Sequence, residues 1–136
     1  MITEKWTIDG FEKLSKQELF DMSVAHIGTT RRKSLSVTGT SCTYGGSGCA
    51  AAPFLKPEYR EKADGEARGT GWGTLAFGKL VSDHEAQFVR RLQGCHDYAI
   101  ADNFIHEWKE QMTDLAAMFG LSTEKLDAIK ENQDES

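Results

Sequence analysis

The feature that most limits what this chain can fold into is the apolar spacing of its C-terminal half. Phe88, Val89, Leu92, then Cys95 or His96, and Ala99 fall on one face of a helix. After Asp102-Asn103 the pattern resumes with Phe104, Ile105, Trp108, Met112, Leu115 and Phe119. Ser82-Asp83-His84-Glu85 has the S-x-x-E spacing of a capping box and predicts the start of the first helix. Gly120 predicts the end of the second, where a residue with positive φ is usual. Two amphipathic helices each need a partner surface, so the chain is predicted to be mainly α.

Two further helices flank this pair. Ser15-Lys16-Gln17-Glu18 is a second capping box, followed by Leu19, Phe20, Val24 and Ile27, with Gly28 as the predicted stop. Ser122 predicts the cap of a short helix holding Leu126 and Ile129. Residues 1–130 then form one domain of about four helices, and the polar residues 131–136 a frayed tail.

The middle of the chain reads differently. Residues 28–56 and 65–80 are rich in Gly, Ser, Thr and Ala. Ser34-Leu35-Ser36-Val37 alternates as a strand does, and Cys42-Thr43-Tyr44 can pair with it across Gly39-Thr40, so an α+β variant with a short hairpin stays open. Pro57 predicts a brief helix through Tyr59-Arg60, and Gly69-Thr70-Gly71-Trp72-Gly73 a loop or bulged strand.

Charge and cysteine count narrow the function classes. The 136 residues carry 16 Lys and Arg against 21 Asp and Glu, a net charge of −5 that offers a nucleic-acid backbone little attraction, so no direct nucleic-acid binding is expected. No apolar run reaches the ~18 residues of a membrane span, and no secretory pattern is read at the N-terminus. Cys42, Cys49 and Cys95 are three, an odd number, and read as reduced thiols in a cytoplasmic setting.

Four chemistries can be tried on these residues. If a helix starts at Ala50, its N–H groups favour a thiolate at Cys49, with His96 as base and Asp97 as a possible orienter. Cys49 beside alanines equally fits a small core residue, Pro53 works against a helix starting at Cys49, and Asp97, adjacent on the helix, is poorly directed towards His96. A zinc site from Cys42, Cys49, Cys95 and His96 lacks a C-x-x-C pair, and Cys95 and His96 diverge by about 100° on a helix, so no metal and no cofactor is predicted. Gly69-x-Gly71-x-Gly73 has its third glycine one residue early for a dinucleotide fingerprint, and no Walker lysine follows. Aromatic and basic residues lie close in sequence at Tyr59-Arg60, at Arg68 with Trp72, and at Arg90-Arg91 near Tyr98. Tyr59, Arg68, Trp72, Arg90 and Arg91 are therefore the predicted ligand-binding residues, since rings and guanidinium groups together hold nucleotides.

The pattern Cys42-x-Tyr44-x-x-x-Gly48-Cys49-Ala50, then Leu92-Gln93-x-x-His96-Asp97 and Phe119-Gly120-Leu121-Ser122, resembles a group of small proteins from bacteriophages and prophages. The resemblance spans most of residues 15–125 and transfers no site residue. It implies an accessory factor in the host bacterial cytoplasm that blocks a host process, including defence, by binding. The partner is expected to be a host protein or nucleoprotein complex, as for an anti-CRISPR inhibitor, or a small nucleotide signal. The alternative is a cysteine-dependent hydrolase or transferase using Cys49, His96 and Asp97. Self-association into a homo-oligomer stays open.

Overall fold

The computed structural model describes residues 5–32, 44–45, 48–67 and 72–131. Among them the fold is mainly helical, with six α-helices: α1 (Lys16–Thr30), α2 (Arg60–Ala67), α3 (Trp72–Phe77), α4 (Ala86–Asp97), α5 (Phe104–Phe119) and α6 (Glu124–Asp127). Short 3-10 turns at Phe11–Lys13, Ala52–Phe54, Pro57–Tyr59 and Ala101–Asn103 connect them. The expected hairpin of Ser34–Val37 with Cys42–Tyr44 lies, except for Tyr44, outside the described residues. The β pairing among the described residues is a single antiparallel bridge between Thr7 and Leu55.

The α1 capping box forms as its sequence predicts. The Glu18 N–H donates to Ser15 Oγ at 3.1 Å and the Ser15 N–H to Glu18 Oε1 at 3.0 Å. These bonds hold the exposed Glu18 carboxyl below its usual range, because the charged form is the better acceptor. The helix does not stop at Gly28 but runs on to a left-handed cap at Arg31. Gly28 serves closeness instead: a Cβ there would stand 2.5 Å from Ile129 Cδ1, so the bare helix lets the C-terminal segment pack against α1.

The second capping box fails. Glu85 is itself the N-cap of α4, left-handed at φ 52° and without a side-chain cap, and its carboxylate is spent on Lys16 at 2.9 Å. Ser82 Oγ accepts instead from the His84 N–H at 3.2 Å. Gly120 does cap α5, at φ 68°. Pro57 opens its turn and leads into α2. Trp72-Gly73, expected in a loop or bulged strand, begins α3; residues 69–71 lie outside the described set.

α4 is central. It packs against α3 on one side, α5 on another and α1 on a third. Its buried residues, Phe88, Val89, Leu92, Gln93, Cys95 and His96, therefore cover more of its circumference than one stripe. The core joins them to Trp108 and Met112 of α5, Leu19, Phe20 and Ile27 of α1, and Trp72 of α3. Phe11 and Phe54 close over Trp72, with ring centroids 5.7 and 6.2 Å from its ring. No described helix is long and apolar enough to cross a membrane.

Candidate functional site

Two places bring sequence-predicted residues together. The first lies inside the protein. Tyr44 and Cys49, from the glycine-rich segment, meet Gln93 of α4. The Gln93 amide nitrogen donates to Tyr44 Oη at 2.6 Å and approaches Cys49 Sγ at 3.9 Å, while its oxygen accepts from the Trp72 N–H at 2.9 Å. The Asp64 carboxylate of α2 receives the Tyr44 and Gly45 N–H groups at 2.6 and 3.1 Å and pins that segment from the other side.

Gly48 explains how the segment turns here. Its φ of 82° is left-handed, and a Cβ would lie 2.8 Å from His26 Nε2 and 2.9 Å from Ala52 Cβ. His26 Nε2–H donates to the Gly48 carbonyl at 3.1 Å, and Ser23 Oγ donates to the Ala50 carbonyl at 2.9 Å, which ties the segment to α1.

This arrangement gives Cys49 the character of a core thiol. Residues 50–51 form a turn and the helix that follows is the three-residue 3-10 turn Ala52–Phe54, with Pro53 inside it. No α-helix N-terminus therefore addresses the sulfur. Burial pushes the Cys49 thiol up to about 12, and the Asp97 charge adds to the rise; hydrogen bonds from the Ala51 and Ala52 backbone and from Gln93 oppose it without prevailing. Burial, again the main cause, raises Tyr44 above the ordinary phenol range.

His96 is fully buried, with its ring edge-on to Phe104 at 5.3 Å. Its Nδ1 lies 2.8 Å from Asp97 Oδ1, so Asp97 does reach it, contrary to expectation. Adjacent helical side chains leave the axis about 100° apart, but the last residue of α4 can fold its carboxylate back towards its neighbour. Among the described residues the side-chain partner of Cys49 Sγ is the Gln93 amide, not an imidazole. Cys42 lies outside the described residues, and no group of three metal-ligating side chains occurs among those described.

The second place is an open cleft of about 480 Å³ between α4 and α5. Arg90, Arg91 and Gly94 line it from α4, Tyr98 from the residue that caps α4, and Gln111 and Asp114 from α5. Cys95 also borders it; burial pushes that thiol up to about 12, and the Asp114 charge adds to the rise. Arg91 reaches over the Phe119 ring at 5.9 Å, and Arg90 lies along α3, where a Cβ at Gly73 would stand 3.2 Å from its Cδ. Among the described residues neither arginine has a carboxylate within ion-pair distance. Tyr98 is 81% exposed.

The five predicted ligand-binding residues thus separate. Arg90 and Arg91 share the cleft with an aromatic ring, Tyr98. Trp72 is a correction: it is fully buried among Phe11, Phe54 and Tyr44, because its side chain fills the core where α3 starts. Tyr59 lies stacked on Trp6, 5.3 Å between centroids and 5° between planes, and does not line the cleft. Arg68 lies outside the described residues. Sequence reasoning missed Gln93 as a site residue. The available signal was an amide on α4 in helical register with Val89, four residues before it, amid apolar neighbours.

Comparison with protein-family models, curated proteins and solved structures gives no match to this chain.

Proposed function

We propose that this chain is a phage or prophage accessory protein that acts by binding, without turnover, and sequesters a small nucleotide in the α4–α5 cleft of the host cytoplasm. The observation that carries the reading is the convergence of Arg90, Arg91 and Tyr98 on one open cleft of about 480 Å³. That volume falls within the range of small-molecule sites, and the lining supplies what a nucleotide needs: cations for phosphate and a ring for the base. The phage context rests on the resemblance carried by Cys42-x-Tyr44-x-x-x-Gly48-Cys49-Ala50 and Leu92-Gln93-x-x-His96-Asp97. A cysteine hydrolase built on Cys49, His96 and Asp97 has the His–Asp pair, but its thiol is protonated by burial and bonded to an amide.

A second reading, inhibition of a host defence protein or nucleoprotein complex, is favoured by exposed apolar side chains. Phe77 is 91% exposed, Met118 62% and Ile100 59%. Aromatic and Met side chains of this kind anchor protein interfaces.

The test is native mass spectrometry of the full chain purified gently from a bacterial host. The expected result is an added mass matching a nucleotide, lost in the R90E/R91E double variant. A clean mass for the native chain, with no thermal shift on adding nucleoside mono-, di- or cyclic phosphates, would overturn nucleotide binding and favour a protein partner.

A further inference from the structure

We propose that the cleft reads guanine: the base lies on the bare backbone of Gly94 beside Tyr98, and Asp114 accepts its two adjacent N–H donors. This rests on the reading of the cleft as a nucleotide site.

Gly94 is the first observation. It sits inside α4, where glycine makes a helix less stable than alanine does. Nothing in the fold demands it. Its φ is not left-handed, and an added Cβ would meet only the Tyr98 ring carbons Cδ2 and Cε2, both at 3.6 Å, an ordinary contact. What the missing side chain does provide is bare α4 backbone in the cleft lining, next to an exposed phenol ring. A planar base can lie against peptide groups there with its edge or face on Tyr98. A methyl group at 94 would occupy that space.

Charge is the second observation. Arg90 and Arg91 line the cleft from α4 and one carboxylate residue, Asp114, from α5, and among the described residues these make no ion pair with one another. A ligand complementary to all three presents an anion at one end and N–H donors at the other. Phosphate meets the arginines, with their planar fork of donors. The base edge then has to suit a carboxylate, which only accepts. Guanine offers N1–H beside its 2-amino group, two parallel donors for two oxygens. Adenine and cytosine place an acceptor nitrogen beside their amino group, and uracil flanks its single N–H with carbonyls, so each sets a lone pair against Asp114. Gln111, three residues before Asp114 on α5 and so on the same face, carries an amide that can donate to the guanine 6-oxo group.

Calorimetric titration of the full chain with guanosine 5′-monophosphate, adenosine 5′-monophosphate and inorganic phosphate tests this. The native protein should hold the guanine nucleotide at least ~10-fold more tightly than the adenine one, because only guanine meets both carboxylate oxygens with donors. Asp114→Asn should weaken the guanine nucleotide, which loses an acceptor for one of its donors, and strengthen the adenine one, whose acceptor nitrogen no longer faces a carboxylate, so that the preference is lost. Gly94→Ala should raise the Tm yet weaken both nucleotides by at least ~10-fold, a combination that a merely structural glycine would not give. Equal affinity for the two nucleotides, or native affinity in Gly94→Ala, overturns the proposal while nucleotide binding itself stands. If neither nucleotide binds, both fall.

Discussion

The Gln93 side chain joins two segments: its nitrogen donates to Tyr44 Oη at 2.6 Å and its oxygen accepts from the Trp72 N–H at 2.9 Å. It thereby fixes the first turn of α3 and the glycine-rich segment to the same position of α4. Replacing Gln93 by Leu keeps the volume roughly constant but strands a buried N–H and a buried hydroxyl. Each orphaned group costs about 1–3 kcal/mol, so the variant should lose about 2–6 kcal/mol of unfolding free energy in urea titration. Tyr44→Phe removes one partner only and should lose about 1 kcal/mol. A loss in Gln93→Leu no larger than in Tyr44→Phe would mean that the bond to Trp72 contributes nothing.

Thiol chemistry separates the core reading of Cys49 from the nucleophile reading. With burial raising Cys49 and Cys95 to about 12, about one molecule in ten thousand carries either thiolate at a pH near 8, against about a quarter for an unperturbed thiol. Iodoacetamide should therefore modify both at least ~100-fold more slowly in the native protein than in urea, as followed by peptide mapping. Rapid labelling of native Cys49 would show an accessible thiolate and restore the hydrolase alternative.

The helical plan was legible because it depends on local chemistry. Ser15 and Glu18 satisfy each other's backbone N–H groups over three residues, and Gly120 supplies a left-handed cap from its own missing side chain. The failures share a cause, which is that a distant partner outbid a local one. Glu85 had the right spacing from Ser82 but pairs with Lys16, and Gly28 looked like a stop but makes room for Ile129. The site divides the same way. Arg90, Arg91 and Tyr98 lie within nine residues of sequence, on α4 and its C-cap, so their proximity could be read from spacing, whereas Gln111 and Asp114 join them only through the α4–α5 packing. Trp72 was misread because flanking glycines signal a loop, and no local rule says that an indole will fill the core instead.

His106 gives the C-terminal segment a pH dependence. From α5 its Nδ1 meets the Glu131 carboxylate, and its Nε2 lies 2.9 Å from Glu110. The hydrogen bond with Glu131, then the charges of Glu110 and Glu107, raise its pKa, because the imidazolium is the form that two carboxylates favour. A histidine raised above its unfolded value contributes stability that is fully present below about 6.5 and is lost as pH climbs through the higher folded value. Hydrogen exchange in residues 121–131, corrected for the intrinsic rate, should accordingly lose protection as pH rises above about 6.5. The loss should be partial. Lys109 still donates to the Ile129 carbonyl and Arg31 to that of Lys130, while Ile129 remains packed on Gly28. In His106→Ala the protection should be lower at acid pH and nearly flat with pH. If the variant kept the native slope, the dependence would have to come from another group, and the histidine would be a bystander on the surface of α5.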